Sequence, residues 1–147
     1  MIEFNCRFGD PENTANYDAP KGSMVDLITM RLDGNLPEQT EWDERPALGV
    51  VLANKGYPES ASNGDVIRGL PTASHSMGKR IWMWIFHAGT EAFDNGEIVT
   101  NGGRVVCVTA LGDDILDAQT TALAVCGAIS FDGMQYRRDI GWRAVQS

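Results

Sequence analysis

The sequence predicts an α+β protein, and three observations carry that expectation. Two short apolar runs rich in β-branched residues, 47–53 and 104–111, have the look of buried strands. Asn-Gly pairs at 63–64, 95–96 and 101–102 supply tight turns between extended segments. Two stretches, 24–32 and 115–128, instead repeat apolar residues at the helical period.

The chain opens on a strand pattern. Side chains of an extended strand alternate between faces, so Ile2, Phe4, Cys6 and Phe8 share one face and Glu3, Asn5 and Arg7 the other. Hard divalent cations take oxygen ligands and commonly sit on one or two carboxylates plus substrate phosphates. The fixed fork of an arginine matches phosphate oxygens. Glu3, Asn5 and Arg7 therefore suit a metal–nucleotide complex in phosphoryl transfer. The same spacing also fits an edge strand with a solvated polar face.

Residues 13–23 are crowded with turn formers and read as a loop. Met24–Leu32 restores a helical period, with Ser23 as N-cap, Gly34 past the end, and Val25, Ile28 and Leu32 on one face. A polar linker carrying Trp42 runs to Arg45, and the domain boundary is placed there. Ala47–Ala53 is a buried strand, and Lys55-Gly56-Tyr57-Pro58 turns the chain. Residues 69–78 are loop-like.

In Lys79–Phe86, Trp82 and Trp84 share one face of a strand and Ile81, Met83 and Ile85 the other. The tryptophans could stack on a base, but a core or a contact with a neighbouring domain is the favoured reading. His87 is expected to be half-buried and satisfied, and His75 lies in a loop with no partner nearby in sequence. Asn95-Gly96 and Asn101-Gly102-Gly103 punctuate two hairpins, flanking strands at Glu97–Thr100 and Arg104–Leu111, the latter central. Asp113 and Asp114 start a helix from Ile115 to Ala128, with Ile115, Ala118, Ala122, Val125 and Ile129 as its buried stripe. Gln135–Arg143 is a basic, aromatic cluster read as a solvated end.

With 147 residues, 43% hydrophobic and 22% charged, the chain has room for one domain or one and a part. A net charge of −8 argues against nucleic acid or an anionic membrane as partner. The three cysteines, Cys6, Cys107 and Cys126, form no Cys-x-x-Cys pair and are expected to be buried free thiols, not a zinc site. No run has the length of a membrane span and no signal peptide opens the chain, so a cytoplasmic location is expected. No Gly-rich phosphate loop is evident.

The wording of Glu3-Phe4-Asn5-Cys6-Arg7-Phe8-Gly9-Asp10-Pro11-Glu12 resembles the phosphoribosylamine–glycine ligase family of the ATP-grasp superfamily. So do Arg45–Ala53, Gly56-Tyr57-Pro58, Gly64–Ile67, Phe86-His87-Ala88-Gly89-Thr90, Val99–Val105 and Arg138–Ala144, in the family's order. The resemblance thins at 13–23 and 79–85. It implies that residues 1–45 end an ATP-grasp catalytic domain and that 46–147 form a mainly antiparallel β C-terminal domain with one packed helix.

The family joins glycine to 5-phosphoribosylamine through a glycyl phosphate at the expense of ATP, in purine biosynthesis. By that resemblance Glu3 and Asn5 hold Mg²⁺ or Mn²⁺ with its ATP, and Arg7 is catalytic, stabilising the transferring phosphoryl group. Asp10, just past the strand, could face the substrate. Asp139 and the nearby arginines could form interdomain ion pairs. Because the chain opens inside a strand, Met1 is not expected to be the natural start. The family's N-terminal ATP-grasp domains would hold the ATP-clamping lysines, the phosphoribosylamine pocket and most of the glycine site. A monomer is expected. Two other readings stand beside this one: a noncatalytic C-terminal packing module, and a piece of a carboxylase-type ATP-grasp enzyme, against which the wording of Gly9-Asp10-Pro11-Glu12 counts.

Overall fold

A computed structural model describes residues 9–17, 22–71 and 82–146. The strand expected at the start of the chain, with Glu3, Asn5, Cys6 and Arg7, falls on residues outside those described, as do His75, Ile81 and the side chain of Trp82.

The body is a three-stranded antiparallel sheet in the order β1-β5-β2, built from β1 (Ala47–Ala53), β2 (Trp82–His87) and β5 (Arg104–Leu111). As expected from its apolar run, β5 is central: Val50 pairs Val108 on one side and Ile85 pairs Val108 on the other. Leu48, Val50 and Leu52 of β1 stand beside Ala110, Val108 and Val106 of β5. All six are buried.

Helix α3 (Ile115–Ala128) covers that face with Ala118, Ala122 and Cys126, none of which is exposed to solvent. Its N-cap is Asp114, whose carboxylate accepts from the Asp117 amide at 2.8 Å. The small residues on its inner side let the helix lie close to the sheet. Ile129 and Phe131 extend the same core.

Three expectations need correction. The segment read as a loop begins with a helix, α1 (Glu12–Tyr17). Pro11 precedes it, where a missing N–H costs nothing, and the Asn13 amide donates back to Gly9 O at 3.0 Å. Helix α2 (Met24–Leu32) has its expected Ser23 cap and ends as expected at Gly34, where Asn35 N donates to Met30 O at 2.8 Å and Gly34 N to Arg31 O at 3.3 Å. Its apolar stripe, however, faces solvent: Val25, Ile28 and Leu32 are 69%, 54% and 82% exposed.

The turn at 101–103 joins no hairpin. It carries the chain from β4 (Ile98–Thr100), which pairs with a short strand β3 (Thr90–Ala92), into β5 of the other sheet. Asn95-Gly96 does close the β3–β4 hairpin. Last, His87 is exposed, not half-buried.

Of the aromatic strand, Met83 is buried and Ile85 packs on the core, while Trp84 is half-buried on the opposite face. Cys107 and Cys126 are buried free thiols. A four-residue helix α4 (Trp142–Val145) ends the described chain. Near it Arg137 pairs with Asp139 at 2.8 Å, a local pair that keeps the Asp139 carboxyl below its usual range. Among the described residues no helix is long and apolar enough to cross a membrane.

Candidate functional site

Helix α1 lies against the face of the sheet opposite α3. It packs over Gly49, where a Cβ would meet Cys107 Sγ, Thr109 Cγ2 and Thr14 Oγ1 at 3.4–3.5 Å, an ordinary contact distance. Thr14, on α1, bonds through its hydroxyl to Pro11 O and lies 3.3 Å from Cys107 Sγ. This contact holds α1 on the sheet, with Asp10 beside the first residue of β5.

At that end β5 carries an extra residue. Leu52 faces Val106 but Ala53 faces Arg104, leaving Val105 as a bulge. The bulge aims Arg104 at Asp10: Nη2 donates to Oδ2 at 2.9 Å and Nη1 to the main-chain oxygen at 3.0 Å. Its backbone also holds the corner that follows β2. Ala88 N donates to Val105 O at 3.0 Å, Gly89 N to Arg104 O at 2.8 Å, and Asn101 N to Gly89 O at 2.7 Å. There is no room for a side chain at Gly89, where a Cβ would stand 2.8 Å from both Arg104 O and the Gly102 Cα. Within this fixed corner His87 Nδ1 lies 3.0 Å from Thr90 Oγ1.

Between α1 and the ends of β2 and β5 is a cleft of about 320 Å³. Its lining includes the apolar residues Val51, Phe86 and Val106 and the polar residues Asp10, His87 and Arg104. Apolar walls with a few convergent polar groups are the usual form of a small-ligand site. Of the sequence-predicted site residues, Asp10 is brought to this cleft; Glu3, Asn5 and Arg7 are outside the described residues. Sequence reasoning missed Arg104, Thr14 and the His87–Thr90 pairing. The signal for Arg104 was present, since it is the single charge at the head of the otherwise uncharged strand Arg104–Leu111.

The family model of the phosphoribosylglycinamide synthetase C domain matches residues 47–143. The chain belongs to this family. Among proteins similar to this synthetase C-domain chain is the phosphoribosylamine–glycine ligase of Salmonella typhimurium, 50% identical over 99% of the chain and 33% of that protein. The ligase of Escherichia coli K12 is 48% identical over the same shares. A crystal structure of phosphoribosylamine–glycine ligase from Thermotoga maritima superposes with a TM-score of 0.77 at 32% identity, over 95% of this chain and 32% of that one. The chain thus spans about a third of the length of the curated relatives it matches. The synthetase C domain accordingly accounts for the α+β fold with its antiparallel sheets and few helices.

Proposed function

We infer that the chain serves as the C-terminal part of an ATP-dependent ligase that joins glycine to 5-phosphoribosylamine in purine biosynthesis. The observation that carries this reading is 50% identity, across 99% of the chain, to a protein with that ligase name. Residues 1–45 then close an ATP-grasp catalytic domain, 46–147 form the C domain, and the partner is the set of preceding ATP-grasp domains. A cytoplasmic enzyme agrees with the buried free thiols Cys107 and Cys126, and a monomer is part of the same proposal.

A carboxylate is a poor electrophile, so glycine is first converted to glycyl phosphate by the γ-phosphoryl group of ATP, and the amine then attacks. In this reading Glu3 and Asn5 hold Mg²⁺ or Mn²⁺, a fit to the hard oxygen donors of a carboxylate and an amide. The ion supplies charge neutralisation to the phosphates when bound. Arg7 stabilises the transferring phosphoryl group. Asp10 faces the substrate from the cleft, oriented by Arg104.

The second reading, a noncatalytic packing module, draws on one observation: the exposed stripe Val25, Ile28 and Leu32 of α2. One chimera separates them. In it this chain replaces the matching third of the Salmonella typhimurium ligase, and phosphate release is measured with ATP, glycine and phosphoribosylamine. Activity lost on Glu3→Ala, with folding retained, supports the ligase reading. A folded but inactive chimera, or one indifferent to Glu3→Ala, refutes it.

A further inference from the structure

We propose that the cleft between α1 and the sheet seats the ribose ring of the phosphoribosylamine substrate, with Asp10 as the acceptor for its hydroxyl groups. The inference rests on the ligase reading above and deepens it. It gives this chain one wall of a pocket that the resemblance assigns to the preceding domains.

The register builds the cleft row by row. Side chains directly opposite each other in antiparallel strands share a face of the sheet. Val51 and Phe86 both pair with Cys107, so these three make one row across β1, β5 and β2. The neighbouring row on the same face is Gly49, Thr109 and Trp84, and Thr14 of α1 packs beside Gly49. On the far side of the Val51 row, Ala53 pairs with Arg104 across the bulge, and Arg104 meets Asp10. The cleft thus has an apolar base from three strands, with α1 along one side and an ion pair at its end.

That arrangement discriminates between the parts of the substrates. A phosphate group is best met by an unneutralised cation, whereas the charge of Arg104 is already met by Asp10 at 2.9 Å. Glycine has a single methylene, which gives it little apolar surface to set against Val51 and Phe86. It would also leave most of a cleft of about 320 Å³ empty, and small-ligand sites bury most of what they hold. A ribose ring has a face of C–H bonds for the apolar row and an edge of hydroxyl groups for the polar end.

The polar end has capacity to spare. Among the described residues Asp10 Oδ1 accepts no hydrogen bond and Arg104 Nε donates none. Each sugar hydroxyl can donate once and also accept, so an open carboxylate oxygen beside an open guanidinium N–H suits a vicinal pair. Arg104 holds the other carboxylate oxygen, which fixes the acceptor before the sugar arrives.

The test measures each substrate separately in the chimera, with D-ribose 5-phosphate as a competing probe that carries the ring and the phosphate without the amine. In Asp10→Asn, Arg104 retains the amide oxygen and the cleft faces a donor in place of the acceptor. KM for phosphoribosylamine and the inhibition constant of D-ribose 5-phosphate should both rise about tenfold. KM for ATP, KM for glycine and inhibition by inorganic phosphate should stay unchanged. Should Asp10→Asn fold poorly, Val51→Ile, which adds one methyl group to the apolar base, should raise the same two constants about tenfold. Three results overturn the assignment: a rise confined to KM for glycine or ATP, weakened inhibition by inorganic phosphate, or unchanged constants in both variants. In each of them the activity of the wild-type chimera upholds the ligase reading. A folded, inactive wild-type chimera overturns both.

Discussion

Arg104 holds Asp10 from 94 residues away, gripping the main-chain oxygen with Nη1 at 3.0 Å and the carboxylate with Nη2 at 2.9 Å. The two side chains are 36% and 61% exposed. A pair this open to water contributes little to stability. Its effect is on direction: the main-chain contact fixes where the turn before α1 sits, and the carboxylate contact fixes which oxygen is left for the cleft.

A double-mutant cycle should register that distinction. Arg104→Met and Asp10→Ala, singly and together, should show a coupling of about 0.2–1 kcal/mol in urea denaturation. At 1 M salt, where the Debye length is about 3 Å, the coupling should shrink further. A coupling of several kcal/mol would mean the pair is desolvated in solution.

Asn54 should behave in the opposite way. It is fully buried at the end of β1. Its Oδ1 accepts from Lys55 N and Ser62 Oγ, both at 2.8 Å, and its Nδ2 donates to Ser62 O. Ser62 and Thr100 continue the network to Asp65. Asn54→Ala leaves several of these groups without a partner inside the protein, so a loss of about 2–3 kcal/mol is expected. The 55–65 loop should also become more open to limited proteolysis.

How far the sequence announced all this depends on the range of the interaction. Strands β1 and β5 and helix α3 were legible because apolar runs and an Asp cap are local signals, and each sits where it was expected. Helix α1 was not, since its Asn and Thr residues favour turns until a sheet face is available to pack on. Asn101-Gly102-Gly103 states that the chain turns but not which strand it rejoins, so a switch between sheets read as a hairpin. The cleft depends on the Asp10–Arg104 and Thr14–Cys107 contacts, which join distant segments and leave no periodic trace. Glu3, Asn5 and Arg7 rest on spacing and resemblance.

Helix α2 gives the clearest contrast between periodicity and burial. Leu32 belongs to an apolar stripe yet is 82% exposed, whereas Leu52 of β1 is 0% exposed. In this chain Leu32→Ser should change stability by no more than about 0.5 kcal/mol. Leu52→Ala should cost about 2–5 kcal/mol, because it leaves a cavity between the sheet and α3. Equal effects in chemical denaturation would place α2 against the core in solution.

Stability should also fall in alkali through a single thiol. Burial between α3 and the sheet, with Cys107 adding a smaller electrostatic contribution, pushes the Cys126 thiol from 9.0 up to about 12. The thiolate is thus favoured in the unfolded chain and disfavoured in the native one. Between pH 9 and 12 the unfolded state has lost a proton that the native state keeps, so unfolding becomes easier as pH rises. Below pH 9 both states hold the proton and the effect vanishes. From pH 8 to pH 10 the loss from this group amounts to about 1.4 kcal/mol. Lysines and tyrosines also titrate there, so the measurement compares wild type with Cys126→Ala, in which the cavity cost is the same at each pH. The stability gap between the two proteins should narrow by about 1.4 kcal/mol from pH 8 to pH 10 in urea midpoints. A gap that stays constant would mean that the thiol reaches water in the native state.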